Sequence, residues 1–333
     1  MIKIITIGGA TKDISFTVDD GVIINNSRDL LRQELLAFER GAKIKVEKFH
    51  HLFGGGAANA AVNFAKSGFK VSCAVAIGDD YEGREILANF KKHQVKTNLV
   101  LIEKGKETGF SFILIEEEGA RIIFANRCAN DDFFLKDSNL EDLKISDWVY
   151  LASLGRYWEK TLKVLMKKKN LHLAWNPGLA QCRLGGVTLA PYLKKTELLL
   201  MNRDEAIELV SSFPAYRQQN RRFFLRVENL LAALRSFGPK IVVITSGKEG
   251  ADAFDGANFY HQDVVKEPNT VDTTGIGDVF NSSVLIGLIL SDNNLQESLK
   301  IAAKNAAAKI SHLGAQNGII DLRSYFKSNK KTL

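Results

Sequence analysis

Short runs of β-forming residues alternate with helical periodicity along most of the chain, and this alternation constrains the fold more than any other feature. Strands are predicted over residues 2–7, 71–77, 148–152, 171–175, 197–201 and 240–245, and helices over residues 57–67, 83–93, 203–211, 221–237, 279–290 and 295–312. Such alternation is typical of a parallel sheet with helices on both faces, which is a three-layer α/β/α fold. With no repeat and no low-complexity linker, we expect a single domain over residues 1–333.

One region interrupts this alternation. The β-prone runs 108–115 and 120–124 flank Glu116-Glu117-Glu118-Gly119, a sequence that predicts a hairpin. Residues 14–24 and 44–49 are also β-prone. We expect the segments 14–24, 44–49 and 108–124 to form a small antiparallel sheet that stands off the main domain.

The strongest chemical signal is the run VDTTGIGD at residues 271–278, which leads directly into an apolar segment at residues 279–290. Its two glycines let the backbone turn sharply and expose consecutive N–H groups. A helix that begins there adds unpaired N–H donors and the positive end of its dipole, so the site suits a phosphate group. Asp278 places a carboxylate beside this anion site, which is explained if it deprotonates a hydroxyl group that attacks phosphorus. An ordinary strand–turn–helix junction is the alternative.

A second glycine-rich run, GGG at residues 54–56, opens an alanine-rich helix. It allows a ligand to approach the backbone closely, and Asn59, about one turn further on, can both donate to and accept from a hydroxyl group. Tight packing of a helix on a sheet is the alternative. The spacing does not match the dinucleotide fingerprint, and there is no Walker A motif because the pair GK at residues 247–248 is followed by glutamate.

Polar residues follow three of the predicted strands. Asp13 comes shortly after the first strand, Asn202 and Glu205 follow the strand at residues 197–201, and the turn TSGKEG occupies residues 245–250. Ligands of open α/β sheets bind outside the carboxyl ends of the strands. Asn202 and Glu205 are three residues apart on a helical turn and point the same way; a capped helix start is the alternative for this pair. The turn at residues 245–250 can form a floor for a nucleotide.

In this order, the motifs resemble those of the ribokinase-like (PfkB) carbohydrate kinases. The run DTTGIGD resembles the C-terminal signature of that family, GGGAANAAVNF resembles its N-terminal signature, and the resemblance spans residues 8–315. It implies the ribokinase-like three-layer fold, with the small sheet as a lid over the sugar site. It also implies an ATP-dependent kinase that transfers the γ-phosphate to a hydroxyl group of a sugar, as ribokinase, fructokinase and ketodeoxygluconate kinase do.

The resemblance also implies a role for individual residues. Asp278 corresponds to the catalytic base, and the backbone amides of Gly275, Ile276 and Gly277 correspond to the anion hole. Substrate-binding positions are Asp13, Gly55, Gly56, Asn59 and Asn130. ATP-binding positions are Asn202, Thr245, Gly247, Gly250, Thr273, Gly275, Gly277 and Asn305. Asn202 and Glu205 would organise Mg²⁺ largely through water, in keeping with the preference of this ion for oxygen ligands and retained waters. A requirement for a monovalent cation such as K⁺ is left open.

One position departs from the family pattern. Ile276 stands where the family usually has alanine. A β-branched residue between two glycines stiffens the turn, so the departure concerns the turnover rate more than the class of reaction.

Composition argues against several other functions. The net charge is +7, but the basic residues are scattered, whereas nucleic-acid binding would need one continuous basic face. The three cysteines are far apart and form no C-x-x-C pair, which fits a reducing cytoplasm. The apolar run at the N-terminus is too short for a signal peptide, and no stretch approaches the length of a membrane span. We therefore expect a cytoplasmic enzyme with a small-molecule substrate.

Two further functions stay open. A nucleoside kinase of the adenosine type would need an apolar pocket for the base, which phenylalanines of the small sheet could provide: Phe16, Phe110, Phe112 and Phe124. Alternatively, the chain is a catalytically silent sugar- or nucleotide-binding protein, although retention of Asp278, Asn202 and Glu205 favours the kinase. Apolar residues on the small sheet would be covered in a homodimer formed through the two lids.

Overall fold

The computed structural model describes residues 2–18, 20–26, 34–116, 121–144 and 146–329. The strands of this part of the chain are Lys3–Ile7 (β1), Thr11–Thr17 (β2), Val22–Asn25 (β3), Glu34–Ala37 (β4), Lys48–Gly54 (β5), Lys70–Ala74 (β6), Ala76–Gly78 (β7), Leu101–Glu103 (β8), Phe110–Ile115 (β9), Arg121–Asn126 (β10), Trp148–Leu151 (β11), Leu173–Trp175 (β12), Leu198–Asn202 (β13), Ile241–Thr245 (β14), Ala251–Phe254 (β15) and Phe259–Gln262 (β16). The α-helices are Gly56–Lys66 (α1), Tyr81–Lys92 (α2), Leu140–Lys144 (α3), Trp158–Met166 (α4), Gly178–Cys182 (α5), Gly186–Leu193 (α6), Arg203–Ser212 (α7), Arg221–Leu225 (α8), Val227–Ser236 (α9), Ile276–Leu290 (α10), Leu295–Ile310 (α11) and Leu322–Asn329 (α12).

The main sheet has the order β16-β15-β14-β13-β12-β11-β1-β6 within the described residues. The six strands from β14 to β6 run parallel. The two remaining strands, β15 and β16, extend one edge in antiparallel fashion. Because the parallel strands share one direction, the loops that follow β1, β11, β12, β13 and β14 all emerge at the same edge of the sheet.

Side chains of the parallel strands alternate between two apolar cores, one on each face of the sheet. Ile4 and Tyr150 belong to the core covered by α1, α2, α10 and α11. Ile5 and Val149 belong to the opposite core, which is covered by α4, α6, α7 and α9. Strands buried on both faces read as nearly continuous apolar runs, which is why the sequence predicts them well. The expected three-layer α/β/α fold is confirmed.

A separate small sheet has the order β10-β9-β2-β5. It confirms the expectation of a second sheet, but its strands are not all antiparallel, because β2 pairs with β9 in parallel. The two strands are far apart in the sequence, so no hairpin turn forces them into opposite directions. β9 and β10 do form the predicted antiparallel pair; residues 117–119 of its predicted turn lie outside the described residues.

The boundaries of the small sheet differ from the predicted segments. Residues 22–24 belong to β3, which pairs with β4 as a two-stranded ribbon instead of joining the small sheet. Of the predicted segment 44–49, only its last two residues are in a strand, because β5 begins at Lys48 and continues to Gly54. None of the helices in the described ranges combines the length and apolarity that a membrane span requires.

Candidate active site

The run at residues 271–278 forms a tight turn into α10, as its sequence predicts. Gly275 is the N-cap residue in the left-handed conformation, with φ 72°. A β-carbon at this position would also overlap Ala315, so both the conformation and the space require glycine. We call residues 271–277 the anion loop.

Backbone amides at the start of α10 remain available for an anion. The Ile276 amide donates to the Thr273 carbonyl at 3.3 Å, which closes the turn. The Gly275 and Gly277 amides have no hydrogen-bond partner among the described residues. Gly277 is exposed, and a β-carbon placed on it would have no atom within 4 Å. Open space therefore borders these donors at the positive end of a 15-residue helix.

Asp278 lies in the first turn of α10, beside that space. Its Oδ2 accepts a hydrogen bond of 2.7 Å from Asn59 Nδ2. Burial raises the pKa of Asp278 above its ordinary value, although the Asn59 hydrogen bond and the nearby Arg121 guanidinium act in the opposite direction. A carboxylate that is desolvated and fixed in orientation is well suited to accept a proton.

The three glycines at the start of α1 bring the backbone close to two carboxylates. Gly55, the N-cap residue of α1, has φ 90°. A β-carbon on Gly54 would overlap the Asp13 carboxylate, and one on Gly56 would lie 3.3 Å from Asp278 Oδ1. The N-terminus of α1 thus lies between Asp13 and Asp278, where its dipole favours negative charge.

Asp13 projects from β2 of the small sheet and is 6 % exposed. Its Oδ1 accepts a hydrogen bond of 2.8 Å from Thr11 Oγ1. Burial raises the pKa of Asp13, hydrogen bonds from Thr11 and Ser111 lower it, and the charge of Asp278 raises it further. This carboxylate has no ion-pair partner within the ranges that the structure describes, so hydroxyl donors of a ligand would compensate its desolvation.

Asn59 reaches Asp278 as part of a chain of buried amides that sequence reasoning missed. Gln316 Nε2 donates to Asn59 Oδ1 at 3.0 Å, and Asn89 Nδ2 donates to Gln316 Oε1 at 2.7 Å. Asn59 is 2 % exposed and uses both ends of its amide within the protein. Its first role in this structure is to orient Asp278, and one of its two N–H groups remains for a ligand.

Asn202 and Glu205 form a capping box at the start of α7. Asn202 Oδ1 accepts from the Glu205 amide at 2.8 Å, and the Asn202 amide donates to Glu205 Oε2 at 3.0 Å. The pair thus has the helix-capping geometry, which leaves Glu205 Oε1 for other partners. Burial raises the pKa of Glu205 to about 7, the Asn202 hydrogen bond lowers it, and the charges of Asp278 and Asp204 raise it.

The predicted nucleotide loop follows β14, adjacent to Asn202. Thr245 pairs with Asn202 at the carboxyl ends of the parallel strands β13 and β14. Gly247 begins a short 3₁₀ turn, and Gly250 accepts a hydrogen bond of 2.8 Å from the Ser246 amide. The Ser246 hydroxyl is buried and has no hydrogen-bond partner among the described residues. An unpaired buried hydroxyl fits a polar ligand such as a nucleotide at this turn.

Arg121 joins the small sheet to the anion loop, and no sequence motif indicated it. Its Nη1 donates to Thr273 Oγ1 at 2.6 Å. Burial lowers the pKa of Arg121, and the charges of Asp272 and Asp278 oppose this shift. Arg121 lies on the same face of the small sheet as Asp13 and Ser111. Its cross-strand partner Ile115 is four residues from Ser111 along β9, and alternate residues of a strand share a face.

Two predicted ligand positions, Asn130 and Asn305, have hydrogen-bond partners within the protein. Asn130 is 3 % exposed, and its side-chain amide pairs at both ends with the backbone of Ala10. Asn305 is fully buried among α1, α10 and α11, where it donates to Asn63 Oδ1 and Ser283 Oγ. These bonds hold the Asn305 side chain inside the helical layer, and its assignment to ATP binding stays a prediction.

Comparisons with known proteins give the family to which the sequence is similar. The model of the pfkB family carbohydrate kinases matches residues 23–322. The chain is 28% identical over 322 residues to a ribokinase of Lactococcus lactis, covering 94% of this chain and 97% of that protein.

Solved structures show the same fold. A ribokinase of Arabidopsis thaliana, complexed with ribose and ATP, aligns with a TM-score of 0.76 at 20% identity and 98% coverage of both chains. A nucleoside kinase of Burkholderia thailandensis, in complex with inosine, aligns with a TM-score of 0.76 at 16% identity and 98% coverage of both chains.

Proposed function

Because the chain belongs to the pfkB family of carbohydrate kinases, we propose that it transfers the γ-phosphoryl group of ATP to a hydroxyl group of a sugar. The observation that carries this proposal is the position of Asp278. Its carboxylate is oriented by Asn59 and lies in the first helical turn, one residue beyond the free Gly277 amide. A base next to an anion site is the arrangement that phosphoryl transfer to an alcohol needs.

The proposed reaction uses the two sides of the site differently. The acceptor lies between Asp13 and the N-terminus of α1, with its reactive hydroxyl group directed at Asp278. Asp278 takes the proton as the oxygen attacks phosphorus, and the bond from phosphorus to the ADP oxygen breaks. The Gly275 and Gly277 amides stabilise charge on the transferred group. Such stabilisation by preorganised donors is usually the largest single contribution to catalysis.

Mg²⁺ fits the residues present if phosphate and water provide most of its ligands. No group of three or more carboxylate, histidine or cysteine side chains that could hold a metal occurs in the described ranges. Glu205 retains one carboxylate oxygen, and burial together with the nearby charges of Asp278 and Asp204 raises its pKa, so a cation near it would be favoured. A hydrated Mg²⁺ held by ATP and by Glu205 through water would neutralise phosphate charge during transfer.

A sugar is a better candidate acceptor than a nucleoside. Phe16, Phe110, Phe112 and Phe124 all lie on the face of the small sheet opposite to Asp13, because they alternate with Asp13 and its cross-strand partner Ser111. They therefore cannot form a base pocket around an acceptor that Asp13 holds. We place the reaction in the cytoplasm, which is consistent with three cysteines that are all unpaired.

The test combines an acceptor screen with a conservative variant. ATP consumption is measured with pentoses, hexoses, keto-sugar acids, sugar phosphates and nucleosides, and Asp278→Asn is compared on the best acceptor. Asn preserves the shape and can still accept from Asn59, so ATP affinity should hold while kcat falls about 10²–10⁴-fold. Asp292→Asn, just beyond the other end of α10, is the control and should retain wild-type turnover.

Two outcomes would contradict the proposal. If Asp278→Asn kept near wild-type turnover, Asp278 would not be the base. If acceptors bound in calorimetry without any ATP consumption, the chain would be a binding protein on this fold.

A further inference from the structure

Lys309 is a fully buried lysine at the C-terminal end of α11. Its Nζ donates to the Asp272 carbonyl oxygen at 2.6 Å and lies 3.5 Å from Asp272 Oδ2. Burial of an ammonium group is costly, and an apolar side chain of similar length would fill the same space without that cost. The charge at this position therefore requires an explanation.

The two oxygens that Lys309 contacts belong to the anion loop. The carboxylate of Asp272 also accepts from the Thr274 amide and from the Gly314 amide, each at 2.7 Å. The Val271 and Asp272 amides both donate to the Ile310 carbonyl. The loop is thus fixed to the end of α11, and Lys309 contributes to this attachment through two oxygens of Asp272.

The electrostatics keep both partners charged at neutral pH. Burial lowers the pKa of Lys309 to about 8, an effect that Asp272 opposes and Arg121 increases. Burial acts against ionisation of Asp272, yet Lys309 and the Thr274 and Gly314 hydrogen bonds hold its pKa below the ordinary value. The charged groups that face Lys309 are Asp272 on the loop and Arg121 on β10.

A carbonyl and a carboxylate oxygen converging on one positive charge are also the ligands that a dissolved monovalent cation would take. We propose that the Lys309 ammonium is a built-in monovalent cation that holds the anion loop in its active conformation, so that phosphoryl transfer needs no dissolved K⁺ or Na⁺. This inference rests on the proposed kinase function. Lys309 touches neither substrate nor reacting atoms in this scheme, and it acts as a positioning residue through Asp272.

The first measurement uses the unmodified protein. Turnover is compared in tetramethylammonium buffer, free of K⁺, Na⁺ and NH₄⁺, with and without added KCl at constant ionic strength. The expected ratio is below threefold. Stimulation by K⁺ above threefold would overturn the proposal, and this result does not depend on any variant folding.

Variants then separate the charge from the packing. Lys309→Ala leaves a space beside Asp272, and we expect kcat to fall at least tenfold and to recover in KCl or NH₄Cl but not in tetramethylammonium chloride, whose cation is too large. Lys309→Met fills the space with apolar atoms and should show the loss without the recovery. Lys304→Met, at an exposed position of the same helix, is the matched control and should behave as wild type.

The other possible results with Lys309→Ala, and a wild-type protein without kinase activity, also decide the proposal. Full activity of Lys309→Ala, or a loss that no cation restores, would overturn the built-in cation. If the wild-type protein phosphorylates no acceptor, the proposed function has failed, and ATP binding measured by calorimetry decides the inference. The ATP Kd should then be insensitive to K⁺ in the wild type, and weakened in Lys309→Ala but restored by NH₄⁺; any other pattern contradicts it.

Discussion

Gly277→Ala separates the stability of the fold from the chemistry of the anion site. Gly277 is the second residue of α10, its φ lies outside the left-handed region, and an added β-carbon meets no atom within 4 Å. Alanine is favoured over glycine in a helix by roughly 0.5–1 kcal/mol, with the lower value expected in the first turn. The folded protein should therefore be slightly stabilised by this change.

The same methyl group would enter the space assigned to the transferred phosphoryl group. A misplacement of about 1 Å in the reacting geometry can cost roughly 100-fold in rate. We therefore expect kcat to fall about 100-fold while thermal stability is unchanged or higher. Few substitutions at an active site lower kcat while they leave thermal stability unchanged or higher. This result would therefore identify the open space beside Gly277 as the phosphate position.

The assay measures kcat and KM with saturating ATP, together with thermal unfolding of the same preparations. Gly275→Ala is the matched comparison, because the left-handed conformation costs an alanine about 1–2 kcal/mol and its β-carbon would overlap Ala315. It should lose stability and activity together. Wild-type turnover of Gly277→Ala, within threefold, would refute the placement of phosphate at the start of α10.

Three further expectations concern the acceptor, the pH dependence and the assembly. Asp13→Ala should raise the acceptor KM or lower kcat, by a factor equivalent to about 1–3 kcal/mol, while ATP binding stays intact. Calorimetry that showed lost ATP binding with intact acceptor binding would contradict the assignment of Asp13 to the acceptor. Since the pKa of Glu205 is raised from 4.5 to about 7 on folding, its burial costs stability as pH rises through that window. In urea, the free energy of unfolding of Glu205→Gln should exceed that of wild type by a margin that grows from pH 5 to pH 8, by at most about 3 kcal/mol. A margin that did not change with pH would contradict the raised pKa of Glu205. Because Phe49, Phe112 and Phe124 are 63%, 42% and 58% exposed on the outer face of the small sheet, we predict a homodimer through that face. Light scattering should give twice the 36.9 kDa chain mass, whereas a mass of 36.9 kDa at micromolar concentration would exclude it.

The sequence was most informative where burial is strongest. The parallel strands of the main sheet are apolar on both faces, so their runs stand out without knowledge of their partners. β15 and β16, at the edge of the sheet, are four residues long and only partly buried, and the sequence does not predict them. The pairing of β3 with β4 could not be predicted either, because pairing between β-prone segments is decided by tertiary contacts.

The residues of the site also fall into two groups, those that a local sequence pattern marks and those that depend on tertiary contacts. The structure brings the motif residues Asp13, Gly56, Asn59 and Asp278 close together, and each belongs to a short run that stands out in the sequence. Arg121 and Gln316 act through contacts with residues more than 150 positions away, and no local pattern marks them. Lys309 could have been noticed, because helical periodicity places it on the same face as the buried Ala302 and Asn305.

The end of α11 and the turn after it connect the two halves of the site, although they contain no proposed catalytic group. Lys309 and the Gly314 amide both bind Asp272, and Ala315 packs against Gly275, so the anion loop has its shape set from this side. Gln316 binds Asn59, which in turn binds Asp278, so the orientation of the proposed base is set from the same segment. A displacement of residues 309–316 would therefore move the phosphate donors and the base together. Since the cores on either side of the main sheet lie elsewhere, loosening this segment should reduce phosphoryl transfer before it unfolds the protein.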